Sequence, residues 1–88
     1  MKIMLDEDEK ITRKTLTDIL KKENYDVSSF GDGTEALNSL KSNKYDVVVT
    51  DLRLPGTNGL DILKSAKEID TNIIVIIITA YATIETAI

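Results

Sequence analysis

Acidic residues stand at the ends of apolar runs in this chain, where they could do chemistry together. Ile3-Met4-Leu5 is followed by Asp6, Glu7, Asp8 and Glu9; Tyr45 to Thr50 runs into Asp51; Ile73 to Ile78 runs into Thr79. If the first and third apolar runs are neighbours, Glu7, Asp8 and Asp51 meet in one crevice. Anions gathered in water-poor surroundings disfavour one another's ionisation, so such a cluster is expected to hold a hard divalent cation. Histidine and cysteine are both absent. Oxygen-only ligands point to Mg2+, with Mn2+ or Ca2+ as alternatives. A carboxylate beside such a cation can act as a nucleophile toward phosphorus, and Thr79 could donate a hydrogen bond to the transferring group.

Each feature taken singly has a plainer explanation. Acids at Asp6 to Glu9 suit the start of a helix through its dipole alone. A single Asp after a strand, such as Asp51, is ordinarily a turn former, and Thr79 before a helix is ordinarily a cap. The combination, three polar stations at the ends of three apolar strands, is what raises a functional reading above these.

The elements that must position these residues follow from periodicity. Ile3-Met4-Leu5, Tyr25 to Phe30, Tyr45 to Thr50 and Ile73 to Ile78 read as short strands. Between them, Ile11, Leu16, Ile19 and Leu20 mark one face of a helix over Lys10 to Glu23. Ala36, Leu37 and Leu40 mark a second helix, after a break at Gly31-Asp32-Gly33. Ile62, Leu63, Ala66 and Ile69 mark a third, with Asn58 as its expected cap. The apolar stripes are all expected to be core. Ile73 to Ile78 is apolar on both alternating faces, the pattern of a strand covered on both sides. Thr79 to Thr83 is expected to turn, and Thr83 to Ile88 to begin a further helix.

This strand–helix alternation predicts one α/β domain with a parallel sheet and helices on both faces. In such sheets ligands bind at the carboxyl ends of strands, near the reversal of strand order, which is where the acids fall. The 88 residues carry 11 Lys and Arg against 15 Asp and Glu, a net charge of −4. No basic face for nucleic acid is expected, and with no histidine the chain cannot be a phosphohistidine donor. With acids directly after Met1 to Leu5, residues 1–9 are not expected to form a signal peptide. The longest apolar run, Ile73 to Ile78, is far too short to span a bilayer, so the cytoplasm is the expected location.

Together these residues resemble the receiver domain of bacterial two-component response regulators. Glu7-Asp8 resembles the family's metal-binding acid pair, Asp51 in VVVTDLRLPGTNGLDIL its phospho-acceptor, with Pro55-Gly56 and Gly59 following in the family's pattern. Thr79-Ala80 in IIVIIITAY resembles its switch hydroxyl and the small residue after it. The resemblance covers residues 1–88 and implies a doubly wound, flavodoxin-like sheet of strand order 2-1-3-4. It implies a switch rather than a metabolic enzyme, catalysing at most its own phosphorylation. Asp51 would accept a phosphoryl group from a histidine of a sensor kinase. Mg2+ would be held by Glu7, Asp8, Asp51 and the backbone carbonyl of Arg53. Thr79 would sense the phosphoryl group, with Ala80 beside it, and pass the change to an output domain, expected to act in transcription. The tail from Ala80 to Ile88 looks most like receivers placed before sigma-54-activating ATPase modules.

Two departures from the family pattern stand out. Asp6 takes a place where the family carries an apolar residue. By alternation its carboxylate points to a covered face, a costly arrangement unless it is paired or joins the acid cluster as a reserve ligand. The family's fifth strand, last helix, phosphoryl-pairing lysine and switch aromatic have no counterpart within residues 1–88, so the domain is expected to be incomplete at its C-terminus. That leaves Ile73 to Ile78 as an open, apolar edge, and predicts a homodimer or a domain-swapped form. A receiver-like interaction module that takes no phosphate is the alternative function. An aspartate-nucleophile phosphatase is disfavoured because Arg53 stands where its second Asp is needed. An EF-hand is disfavoured because Ile11 stands where its glycine is needed.

Overall fold

The computed structural model describes residues 1–52 and 57–78. Four strands, β1 (Lys2–Asp6), β2 (Asp26–Phe30), β3 (Val47–Asp51) and β4 (Ile74–Ile78), alternate with three helices, α1 (Lys10–Lys22), α2 (Gly33–Ser42) and α3 (Gly59–Ile69). All strand pairs are parallel, in the order β2-β1-β3-β4. This is the doubly wound sheet and the strand order expected. The turn and further helix expected over residues 79–88 lie outside the described residues, as do Pro55 and Gly56.

The helices start where a side chain satisfies the first free N–H groups. Asn58 caps α3 as expected, its Oδ1 accepting from the Asp61 N–H at 3.0 Å. Asp32 caps α2 through the Thr34 N–H at 2.7 Å, so Gly33 is the first residue of the helix rather than part of a break. Glu9, not one of the usual capping types, caps α1 by accepting from the Ile11 and Thr12 N–H groups. The end of α1 is set by Asn24, whose φ of 68° is a left-handed conformation that asparagine tolerates well.

Alternation along β1 sends Met4 to one face and Ile3 and Leu5 to the other. Met4 and Val48 meet Ala36 and Leu40 of α2 and Ile62 and Ala66 of α3, with Tyr45 and Ile73 closing the end of this core. On the opposite face α1 packs over β2 and β1. Among the described residues one helix faces the sheet on this side, and the expectation that every apolar stripe is core is corrected here. No residue of α1 is buried: Ile11 is 75% exposed, Ile19 is also exposed, and Leu16 and Leu20 are half-buried, so the α1 stripe flanks the sheet without joining the core; Ile69 of α3 is exposed as well. In β4, Ile74 and Ile76 are 56% and 48% exposed. They lie in register with Val47 and Val49 but beyond the reach of α1, so among the described residues β4 is an edge strand with one wet face rather than a strand covered on both sides.

Candidate functional site

The register of the sheet brings the acids together. Asp6 pairs with Thr50, so the next residues, Glu7 and Asp51, lie at the same carboxyl end of neighbouring strands. The Glu7 N–H continues the β1–β2 ladder by donating to the Phe30 carbonyl at 3.0 Å, which holds the chain in place as it leaves the sheet. Asp51 is the last residue of β3, and beyond it the Leu52 N–H donates to the Ile78 carbonyl at 3.2 Å. Carboxylate oxygens of Glu7, Asp8 and Asp51 lie within 4.8 Å of one another; Glu7 is buried, Asp51 half-buried and Asp8 exposed. This graded burial leaves the cluster reachable from solvent on the Asp8 side.

Burial pushes the Glu7 carboxyl up to about 7, against the Glu9 N–H that favours its ionised form; hydrogen bonding with Asp8 and Asp51 adds to the rise. Asp6 is fully buried, and neither of its oxygens has a hydrogen-bond partner. Its burial, reinforced by the negative charges of Asp32, Glu7, Asp8 and Asp51, raises its pKa to about 7 as well. The carboxylate does point to a covered face, as alternation requires. The donor set fits a hard divalent cation: three converging carboxylates, an uncompensated fourth beneath them, and no nitrogen or sulfur ligand.

Of the residues singled out in the sequence, Glu7, Asp8 and Asp51 are brought together; Thr79, Ala80 and Arg53 lie outside the described residues. Two residues support the site through contacts that the sequence did not specify. A Cβ on Gly59 would press against the Asp51 carbonyl oxygen and come within 3.0 Å of the Leu52 Cα, so only glycine lets α3 begin this close to the acceptor strand. Arg13 of α1 donates from Nη1 to the Glu7 carbonyl at 2.8 Å and reaches the Asp8 carbonyl at 3.4 Å. The resemblance had singled out Gly59 in the pattern after Asp51, but not what its missing side chain makes room for; Arg13 binds backbone atoms, which leave no mark on residue type.

Comparison with known proteins agrees with this geometry. The family model for the response regulator receiver domain matches residues 3–88. The chain belongs to the response regulator receiver domain family. As a receiver domain it is a module of phosphorelay signalling, a switch rather than a classical enzyme. It is 37% identical over 84 residues to sporulation initiation phosphotransferase F of Bacillus subtilis, covering 96% of this chain and 68% of that relative. It is 33% identical over 79 residues to the DNA-binding response regulator MtrA of Mycobacterium tuberculosis, covering 90% of this chain but only 34% of MtrA. Among solved structures, the response regulator protein TrrA of Thermotoga maritima, in complex with Mg2+–BeF, superposes with a TM-score of 0.85 at 31% identity, over 92% of this receiver and 70% of TrrA. Among the described residues, no helix of the receiver is long and apolar enough to cross a membrane.

Proposed function

We propose that Asp51 accepts a phosphoryl group from a phosphohistidine of a sensor kinase, with Mg2+ held by Glu7, Asp8 and Asp51 and by the backbone carbonyl of Arg53. The observation that carries this reading is the convergence of the three carboxylates at the carboxyl ends of β1 and β3. The capture of TrrA with Mg2+–BeF supports it by analogy. An oxygen of the Asp51 carboxylate attacks the phosphorus as the bond from phosphorus to the donor nitrogen breaks. The electron pair of that bond returns to the imidazole, and the new phosphorus–oxygen bond makes Asp51 an acyl phosphate. When bound, Mg2+ supplies charge neutralisation for the transferring group. Glu7, buried and held by the Glu9 N–H, fixes the inner wall of the site, while exposed Asp8 leaves the mouth open to a donor. Asp6, buried without a partner, stands in reserve as a further acid behind the cluster.

In this reading Thr79 bonds the phosphoryl group, with Ala80 leaving room beside it, and the resulting shift is read by an output domain acting in transcription. The test is intact mass after exposure to a small phosphodonor and Mg2+, with Asp51→Asn as the comparison.

A second reading, an interaction module that works without phosphate, draws support from the exposed face of β4. Ile74 and Ile76 are uncharged and largely wet, and among the described residues nothing pairs with the outer edge of the strand. Such an edge favours pairing with another strand, and in this reading two copies associate through β4. Association through β4 is compatible with phosphorylation, so the mass test separates the two readings.

A further inference from the structure

Arg13 projects from the first turns of α1 back toward the loop that carries the acid cluster, the direction helical side chains favour. Its guanidinium donates to the Glu7 carbonyl at 2.8 Å and reaches the Asp8 carbonyl at 3.4 Å, the two carbonyls that flank the Asp8 nitrogen and α-carbon. The same guanidinium lies beside Gly31, between β2 and α2, in the space a side chain there would fill. A Cβ there would collide with Nη1 and sit 3.1 Å from Cζ. The Arg13 carbonyl is in turn bonded by Thr17 Oγ1 at 2.7 Å, and Thr17 shares a 2.6 Å hydrogen bond with Ser29 of β2. One side chain thus ties together α1, the loop from Glu7 to Glu9 and the β2–α2 turn, and it lies half-buried where it does so.

We infer that Arg13, seated against Gly31, is a positioning residue that locks the peptide planes around Asp8 and so presets the carboxylates of the cation site. This rests on the reading of Glu7, Asp8 and Asp51 as cation ligands. Asp8 is exposed, so its side chain has little packing to hold it, and the orientation of its backbone decides where its carboxylate can point. The charge-assisted bond to the Glu7 carbonyl at 2.8 Å, with a weaker contact to the Asp8 carbonyl at 3.4 Å, sets that orientation. Residues that orient metal ligands without touching the metal commonly govern affinity.

The sign of the effect separates this role from simple electrostatics. A positive charge close to the site repels a cation, so if Arg13 acted through charge alone its removal would tighten Mg2+ binding. The clamp requires the opposite. The experiment is Mg2+ titration followed through backbone amide NMR shifts of residues 7–10, with thermal melts alongside. It is run on wild type, Arg13→Gln, Arg13→Lys, Gly31→Ala and the Arg13→Gln/Gly31→Ala pair. The expected result is a midpoint raised roughly tenfold in Arg13→Gln and Arg13→Lys, at the low end of what loss of such a support costs. Gly31→Ala is expected to raise it too, by displacing the guanidinium while leaving its charge. The double variant should bind no more weakly than Arg13→Gln, because the clamp is already gone. Unchanged or tighter binding in Arg13→Gln, full retention in Arg13→Lys, or independent effects in the double variant would overturn the inference. A folded wild type with no saturable Mg2+ shifts would overturn the cation site itself, and the clamp with it.

Discussion

Asp6 on β1 stands directly opposite Thr50 on β3, and both are fully buried. That single register fixes the site, because each is followed by an acid of the cluster, Glu7 after the one and Asp51 after the other. It also explains the cost of the arrangement. The strand that delivers Glu7 ends with a carboxylate under the sheet, facing the charges of Asp32, Glu7, Asp8 and Asp51 with no hydrogen-bond donor of its own.

Without metal, the receiver should lose stability as pH rises toward 8. Asp6 and Glu7 have folded pKa values near 7, against ordinary values of 3.8 and 4.5, so the folded chain holds protons that the unfolded chain releases. Their contribution is full below the ordinary values and is lost as pH rises through about 7. In EDTA the urea midpoint should be lower at about pH 8 than at about pH 5.5, and adding Mg2+ should restore much of the difference at the higher pH. A midpoint that rises with pH in EDTA would contradict this.

Replacing the buried carboxylate should stabilise the fold. A buried polar group left without a partner costs about 1–3 kcal/mol, and a β-branched residue suits an interior strand. Asp6→Val is expected to gain about 1–2 kcal/mol at about pH 8 without metal, and less at about pH 5.5, where the native carboxyl is largely neutral. Chemical denaturation at the two pH values checks this; a loss of stability at the higher pH would show that Asp6 is compensated in solution.

Gly59→Ala should damage stability and phosphorylation together. The added methyl meets the Asp51 carbonyl and the Leu52 backbone, which are not free ends that can swing aside. Overpacking of this kind costs about 1–3 kcal/mol, and relief by shifting β3 moves the acceptor. The Gly59 N–H also donates to the Leu52 carbonyl at 2.9 Å, so the strain falls on a bonded turn. Normal adduct formation in a destabilised Gly59→Ala protein would separate the two effects and contradict the coupling.

At the sheet edge, Ile76→Lys should suppress self-association without unfolding the protein. The side chain is nearly half exposed and reaches solvent on the face that α1 leaves bare, and an edge lysine discourages strand pairing. Light scattering at matched concentrations should show association in wild type and its loss in the variant, with stability changed by no more than about 0.5 kcal/mol. A wild type that stays monomeric across the range would contradict association through β4.

Much of this architecture was legible in the sequence. Tyr45 to Thr50 read as a strand running into Asp51, where the structure has β3 over Val47–Asp51, and Asn58 read as the cap of the third helix, because strand runs and N-caps are local signals. The convergence of Glu7, Asp8 and Asp51 followed once the first and third strands were taken as neighbours. What escaped is non-local. Ile11 and Ile76 sit on well-formed apolar patterns, yet periodicity records which way a side chain points and not how much sheet one helix covers. Glu9 caps α1 and Gly33 opens α2, uses their residue types do not announce. The contacts of Arg13 are with backbone atoms, which any residue supplies alike, and Gly59, though part of the pattern after Asp51, gave no sign of the backbone it packs against.

The most direct test of the central claim is the mass of the intact chain after incubation with a small phosphodonor, with and without Mg2+, beside Asp51→Asn. Phosphoryl transfer to Asp51 predicts a single phosphoryl adduct that requires both Mg2+ and the Asp51 carboxylate. Folded protein that gains no adduct, or an Asp51→Asn protein that gains the same one, would contradict the assignment of Asp51 as the acceptor.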